Sequence, residues 1–461
     1  MVTEIVIKIL RSTYFALFYE DGGHHRGQES SVPGKSSLYG EIHCYAVRAF
    51  RRVVRIIFPA RTRDGLLIWL LKRHRGFRTP HSRLVNKLPE PMNTLPLGLN
   101  IIGFLRGELG MGEAARSSIR AAQAVSIDVK GIEYKWSIRS RSHASHDART
   151  QGPDYRINLF HINADIFPTS LVLLGPRFFQ GRTNIGYWMW ETTDIPDERM
   201  RASVFLDEIW TPSKFCQKVI SKKTQIPVKV VPINVELRIK KAVNRTELGI
   251  PTEGFLFLCV MDFLSVAERK NPVAAIQSFE QAFGKSSAQA RLILKIHNAS
   301  HRPDFMKVIH GYVERSSSIL LLDSCMERSL LNDLINNCDC LVSLHRSEGF
   351  GLVIAEAMYL GKPVIATGWS GNMDFMSEEN SLPIRYKLVE LEKDYPPYQK
   401  GTFWADPDID NASETMIRVS SDPDFAVSLG RRARETVRSQ LSPKAVGTII
   451  QERLKELVQN N

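Results

Sequence analysis

From residue 99 onward, short apolar runs alternate with segments in which apolar residues return every three or four positions. The runs LNIIGFL (99–105), INLFHI (157–162), NIGYWMW (184–190), EIWTPS (208–213) and VKVVPI (228–233) predict strands. Helical patterns such as GEAARSSIRAAQAV and PSKFCQKVISKK lie between most of them. Such alternation builds a parallel sheet with helices on both faces. The rhythm then restarts with FLFLCVMDF (255–263), RLILKIH (291–297), ILLLDS (319–324), CLVSLH (340–345) and PVIAT (363–367), again separated by helical patterns. Two consecutive doubly wound α/β domains are implied, over 98–240 and 241–461. The hinge is expected near INVELRIKKAVNRTELGIPTEG, where polar and charged residues separate the two sets.

Length agrees, since 461 residues exceed the roughly 250–300 that one core holds. The longest apolar runs, such as LLIWLL at 66–71, fall short of the ~18–20 residues of a spanning helix. Glu4, Lys8 and Arg11 interrupt the apolar N-terminus, so no clean signal-peptide core is read there and a cytoplasmic location is expected. The six cysteines, Cys338 and Cys340 among them, match neither a disulfide framework nor zinc-knuckle spacing and read as reduced thiols.

Charge changes the picture only at the start. Residues 1–98 hold sixteen Lys and Arg against seven Asp and Glu, which places +9 of the net +12 in the first fifth of the chain. Within this N-terminal extension (1–97), arginine clusters alternate with Val, Ile, Leu and Trp69. That composition suits a helix on an anionic membrane surface. It equally suits a solvated basic face or an arm packed on its own domain. Nucleic acid is not an expected partner, because no reader fold accompanies the basic tract. The Gly-, His- and Ser-rich stretch 21–37 is expected to be a disordered loop.

The candidate chemistry centres on HRSEGFGLVIAEAM (345–358). The strand CLVSLH runs straight into RSEGFG, which opens a helix at the carboxyl edge of a parallel sheet, where such sheets bind ligands. Gly349 and Gly351 let the backbone approach a ligand, and the N–H groups around Phe350, Gly351 and Leu352 form a phosphate cradle at the helix start. Glu348 at the mouth and Glu356 among apolar neighbours could accept hydrogen bonds from sugar hydroxyls. The alternative is that Glu356 pairs with a core Lys or Arg, since a buried carboxylate needs some partner.

Glu348 and Glu356, eight apart within EGFGLVIAEAMYLGKPVIATGWSGNMDF, resemble the Glu-x7-Glu signature of retaining GT-B glycosyltransferases of the family 4 type. ERKNPVAAIQSFEQAF and the tail LGRRARETVRSQLSPKAVGTIIQERLKEL resemble further parts of that family's donor domain. The resemblance implies a GT-B fold, in which two Rossmann-like domains face a cleft. It also implies that Glu348 contacts the donor sugar, Glu356 the ribose, and the backbone at Phe350 and Gly351 the sugar and diphosphate. Lys270, with Arg269, matches the residue that neutralises the diphosphate. Ser370, Gly371 and Asn372 match the following loop, with Asp374 where a glutamate is usual. The arginine usual before the lysine is absent, with Asp262 and Ser265 in its region.

The first domain would hold the acceptor. Gly110 and Gly112 in GELGMGEAAR follow a strand and open a helix, so they could present N–H groups to phosphates or acceptor, or simply make a tight turn. His161 and Glu191 end predicted strands on the same edge and are the catalytic candidates beside Glu348. The strand that carries a histidine in the family reads Trp190-Glu191 here. Trp188 and Trp190 could stack on a sugar or serve the core.

The expectation is a retaining hexosyltransferase moving a sugar, with mannose a candidate, from a nucleotide-diphospho sugar to a glycan or lipid-linked saccharide. Its place would be cell-surface polysaccharide biosynthesis, peripherally at the inner face of a membrane. Lys270, Arg269 and helix N-termini would hold the leaving charge, so no cofactor and no metal is expected. The rival readings are a nucleotide-sugar hydrolase or epimerase of the same fold, and a non-catalytic membrane-surface binding protein.

Overall fold

A computed structural model describes residues 95–134, 153–239, 243–324 and 326–459. The basic segment, its loop at 21–37 and its expected bilayer contact fall within 1–94, outside the described residues. The first sheet contains β1 (Leu99–Gly103), β2 (Val129–Glu133), β3 (Ile157–His161), β4 (Thr183–Tyr187), β5 (Glu208–Thr211) and β6 (Val228–Val230). All are parallel, in the order β2-β1-β3-β4-β5-β6. Every residue of β1, β3, β4 and β5 is buried, as continuous apolar runs require. Three asparagines interrupt these runs at matching positions, Asn100 opposite Asn158 and Asn158 opposite Asn184. Asn100 Nδ2 donates to Asn158 Oδ1 at 3.0 Å, and Asn158 Nδ2 to Asn184 Oδ1 at 2.9 Å. A one-residue slip would leave these buried amides unpaired, so the ladder holds the register. Helices α1 (Gly110–Ala124), α2 (Phe167–Leu174) and α3 (Lys214–Ser221) belong to this domain.

The second sheet contains β7 (Phe255–Asp262), β8 (Ala290–His297), β9 (Ile319–Asp323), β10 (Cys340–Ser343), β11 (Val364–Thr367) and β12 (Leu382–Ile384). These too are all parallel, in the order β12-β11-β10-β7-β8-β9. Its helices are α4 (Ala267–Lys270), α5 (Pro272–Phe283), α6 (Pro303–Val313), α7 (Arg328–Asn337), α8 (Leu352–Tyr359), α9 (Ile409–Ser421) and α10 (Pro423–Gln440). An antiparallel hairpin of β13 (Tyr386–Glu390) and β14 (Phe403–Pro407) projects from it. The described cysteines Cys216, Cys259, Cys338 and Cys340 are buried free thiols.

Two features depart from the sequence pattern. The run through Trp190 ends as a strand at Tyr187; Trp188 and Trp190 continue as buried irregular chain and belong to the core. The last helix, α11 (Pro443–Gln459), packs on α1 of the first domain rather than on its own sheet. Gly447 makes that possible, because a Cβ there would be driven into the carbonyl oxygen of Ala121. Arg453 of α11 then binds the buried Glu208, with Nε 2.8 Å from Oε1.

Strand order reverses between β1 and β3 in the first sheet and between β7 and β10 in the second. The crevice beyond the carboxyl ends at such a reversal is where doubly wound sheets take ligands. The loops leaving β7 and β10 carry residues 263–271 and 344–351, so topology alone brings Lys270 and Glu348 together.

Candidate active site

Three loops meet at the reversal in the second sheet. The turn after β7 enters the short helix α4, whose end carries Arg269 and Lys270. Arg269 is buried, and its guanidinium donates to the Ser347 carbonyl at 2.6 Å while lying 3.4 Å from Glu348 Oε2. Lys270 Nζ donates to Glu348 Oε1 at 2.6 Å and remains partly open to solvent. Burial alone would raise the Glu348 carboxyl, but the adjacent Lys270 and Arg269 charges outweigh it and hold the group down to about 2. Glu348 is therefore ionised at physiological pH and accepts hydrogen bonds rather than supplying a proton. Burial also opposes the Arg269 charge, and Tyr398, Glu348 and Glu191 more than offset that, so its guanidinium is held more firmly protonated than usual.

The turn after β10 is stitched to the loop after β11. Glu348 N donates to Ser370 Oγ at 2.8 Å, and Gly371 N to the Glu348 carbonyl at 2.9 Å. Gly371 has no room for a side chain, since a Cβ would be driven into the Gly349 carbonyl oxygen. Asn372 is buried and donates to the Thr367 carbonyl at 3.0 Å. Gly351 caps α8 with φ of +90°, a conformation that glycine adopts freely, and Leu352 begins the helix. Phe350 is buried against Phe375, at 5.2 Å between ring centres. α8 thus begins four residues after Glu348, with the unbonded N–H groups of a helix start in its first turn.

Glu356 lies in α8, buried, with Oε1 paired to Arg328 at the start of α7. The pairing with an arginine is thus realised, yet it is incomplete, because Oε2 is buried with no hydrogen-bond partner. Arg328 also lies in the electrostatic range of Glu113 on α1, which itself binds Arg116 and Arg120 at 2.9 and 2.7 Å. Arg269 Nε, Ser347 Oγ and Asn372 Oδ1 are likewise buried without partners. Buried polar atoms are nearly always satisfied. Four such atoms lie on the three loops and α8, where they are candidates for bonding to a polar ligand.

The first domain contributes less uniformly. Gly110, at the start of α1, is exposed with open space where a Cβ would go, so it can face a ligand. Gly112 does not owe its small size to a ligand: a Cβ there would lie 2.5 Å from the Gly107 and 2.6 Å from the Phe104 carbonyl oxygen, so it closes the preceding turn. His161 is wholly buried, stacked on Tyr187 at 4.4 Å, with both ring nitrogens unpartnered. Burial pushes its imidazole down to about 3, so it is neutral. Glu191 does face the donor loops. A Cβ at Gly349 would sit 3.7 Å from its Cγ, and its Oε2 accepts a hydrogen bond from Tyr398 at 2.9 Å.

The domains are clasped at this edge. Ser213 Oγ, at the start of α3, donates to the Gly349 carbonyl at 2.7 Å. Lys214 N donates to Asp374 Oδ2 at 2.7 Å, so Asp374 meets the positive end of a helix in the other domain. Arg328, Tyr398 and Ser213 were not readable as site residues. Each lies far along the chain from its partner, and only Ser213 carries a local signal, as a helix N-cap. Among the described residues no group of three or more His, Cys, Asp or Glu could hold a metal ion, and no helix is long and apolar enough to cross a membrane.

Comparison with known proteins agrees with this architecture. Residues 241–436 match the family described as glycosyl transferases group 1. Human alpha-1,3/1,6-mannosyltransferase ALG2 is 23% identical over 188 residues, 38% of this chain and 40% of that protein; the match thus spans less than half the relative's length. Sucrose-phosphate synthase from Thermosynechococcus elongatus superposes with a TM-score of 0.59 at 15% identity, covering 79% of this chain and 100% of that one. Anabaena HepE in complex with UDP and glucose gives 0.56 at 14% identity, covering 78% and 100%. The fold is GT-B.

Proposed function

We propose that the protein is a retaining glycosyltransferase that moves a hexose from a nucleotide-diphospho sugar to a glycan or lipid-linked saccharide without a metal. The observation that carries this reading is the set of buried, unpartnered polar atoms around the Lys270–Glu348 pair at the reversal of the second sheet. The group 1 match over the same domain and the nucleotide and sugar in the HepE complex support it. The ALG2 relative favours mannose as the sugar, and a cell-surface saccharide as the acceptor would suit the basic N-terminal segment at an anionic membrane.

In this reading the free Oε2 of Glu356 accepts from ribose hydroxyls, while Arg328 keeps the other oxygen satisfied. Glu348 accepts from the donor sugar. The bond between the anomeric carbon and the diphosphate breaks, and its electron pair leaves with the diphosphate. Lys270, Arg269 and the start of α8 stabilise that charge. The acceptor oxygen bonds to the same face of the anomeric carbon and gives up its proton to an oxygen of the departing diphosphate. Docking of the two domains at Ser213 and Asp374 keeps water from competing. The test is to offer a panel of UDP- and GDP-sugars with saccharide acceptors and follow nucleoside diphosphate release, assigning the product anomer by proton NMR. A product of inverted configuration overturns retention. Consumption of donor only into free sugar favours the hydrolase reading instead.

A further inference from the structure

The segment joining β13 to β14 leaves the second domain and lies on the first. Leu391, Tyr398 and Trp404 join a hydrophobic cluster that otherwise includes Trp188, Trp190 and Cys216 of the first domain. Thr193 N donates to the Phe403 carbonyl at 3.3 Å and Phe403 N to Thr193 Oγ1 at 3.0 Å. Gln399 Nε2 donates to Glu198 Oε1 at 3.0 Å. At the inner end of this strap, Tyr398 is 5% exposed, with its ring edge-on to Trp190 at 5.5 Å. Its hydroxyl is spent on Glu191.

We propose that Tyr398 is a positioning residue that fixes Glu191 for the acceptor, so that the acceptor half of the site is complete only when the hairpin of the donor domain is docked on the first domain. The proposal rests on the transferase reading above. Glu191 passes beside Gly349, immediately after Glu348, and Arg269 senses Glu191, Glu348 and Tyr398 together. These groups therefore form one cluster drawn from both domains. Tyr398 holds Glu191 by Oε2, and Oε1 has no hydrogen-bond partner among the described residues. That oxygen is the acceptor for an incoming sugar hydroxyl. A partly buried carboxylate without that bond would sample several rotamers, and a fixed one lowers the entropic cost of aligning the hydroxyl. The arrangement also links docking to commitment: an undocked hairpin leaves Glu191 loose, and water then competes for the donor.

The test is Tyr398→Phe, which keeps the ring on Trp190 and deletes only the hydroxyl. Transfer kcat should fall about tenfold, roughly one hydrogen bond's worth of positioning, with donor KM unchanged. The ratio of donor hydrolysis to transfer should rise by a similar factor. UDP and GDP should bind the variant as they bind the wild type. Adding Glu191→Gln should cost little more than either change alone, both in kcat and in the midpoint of thermal unfolding. Equal loss of nucleotide affinity and turnover would mean a purely structural tyrosine and overturn the proposal, as would additive effects in the double variant. Should the wild type consume no donor at all, the transferase reading fails, whereas the unfolding midpoints still decide whether Tyr398 and Glu191 act as a unit.

Discussion

Acidification from pH 7 to 5 should destabilise the protein, because two histidines are buried neutral. His161 and His345 are both wholly buried, and neither ring nitrogen of either has a partner. Burial depresses His161 from 6.5 to about 3 and His345 from 6.5 to about 4, the latter despite Glu348 nearby. A folded-state pKa below the unfolded one means that the unfolded chain binds the proton first. The contribution is full above about pH 6.5 and is lost as pH falls toward the folded values. At pH 5 the unfolded imidazole is about 1.5 units past its midpoint, which costs roughly 2 kcal/mol for each histidine and about 4 for the pair. Glu348 behaves differently: held at about 2 against 4.5, its share survives at pH 5 and is lost only between those two values. Urea unfolding at pH 7, 6 and 5 and constant ionic strength measures the slope. His161→Gln and His345→Gln should each remove about half of it, whatever they do to stability at pH 7. A stability that is flat from pH 7 to 5, or variants that keep the wild-type slope, would refute the reasoning.

Lys270→Met keeps the bulk of the side chain and removes its charge. Turnover should fall on the order of 100-fold, while the fold survives because Arg269 still compensates Glu348; steady-state rates and a thermal melt check both halves. Gly371→Ala forces the loop after β11 away from Gly349, so it should cost about 1–3 kcal/mol in urea unfolding and weaken nucleotide binding measured by calorimetry.

The sheets were legible because their strands are apolar on both faces and so stand out as runs. β2 was not, since VKGIE alternates half-buried and buried residues and carries Lys130 and a glycine. The hairpin β13–β14 was hidden for a related reason: β13 is largely exposed and its core contacts come from the other domain. In the site, the glycines and acids of 348–356 were readable from local pattern, because a turn and a helix start are local events. The partners were not. Arg328 reaches Glu356 from 28 residues away and Tyr398 reaches Glu191 from 207, distances that only the folded topology closes. His161 ends a strand at the site's edge, as its position in the sequence predicts, but the stacking of its ring on Tyr187 could not be read from strand position.

The most direct measurement is isothermal titration of the protein with UDP- and GDP-sugars, run in parallel on Glu356→Gln. The variant keeps the shape of the side chain and removes the charge that ribose hydroxyls would meet at Oε2. The wild type should bind one donor, and the variant should bind it about 10- to 100-fold more weakly, as expected for the loss of charge-assisted hydrogen bonds. Failure of the folded wild type to bind any donor, or equal binding by wild type and variant, would contradict a nucleotide-sugar site at Glu356.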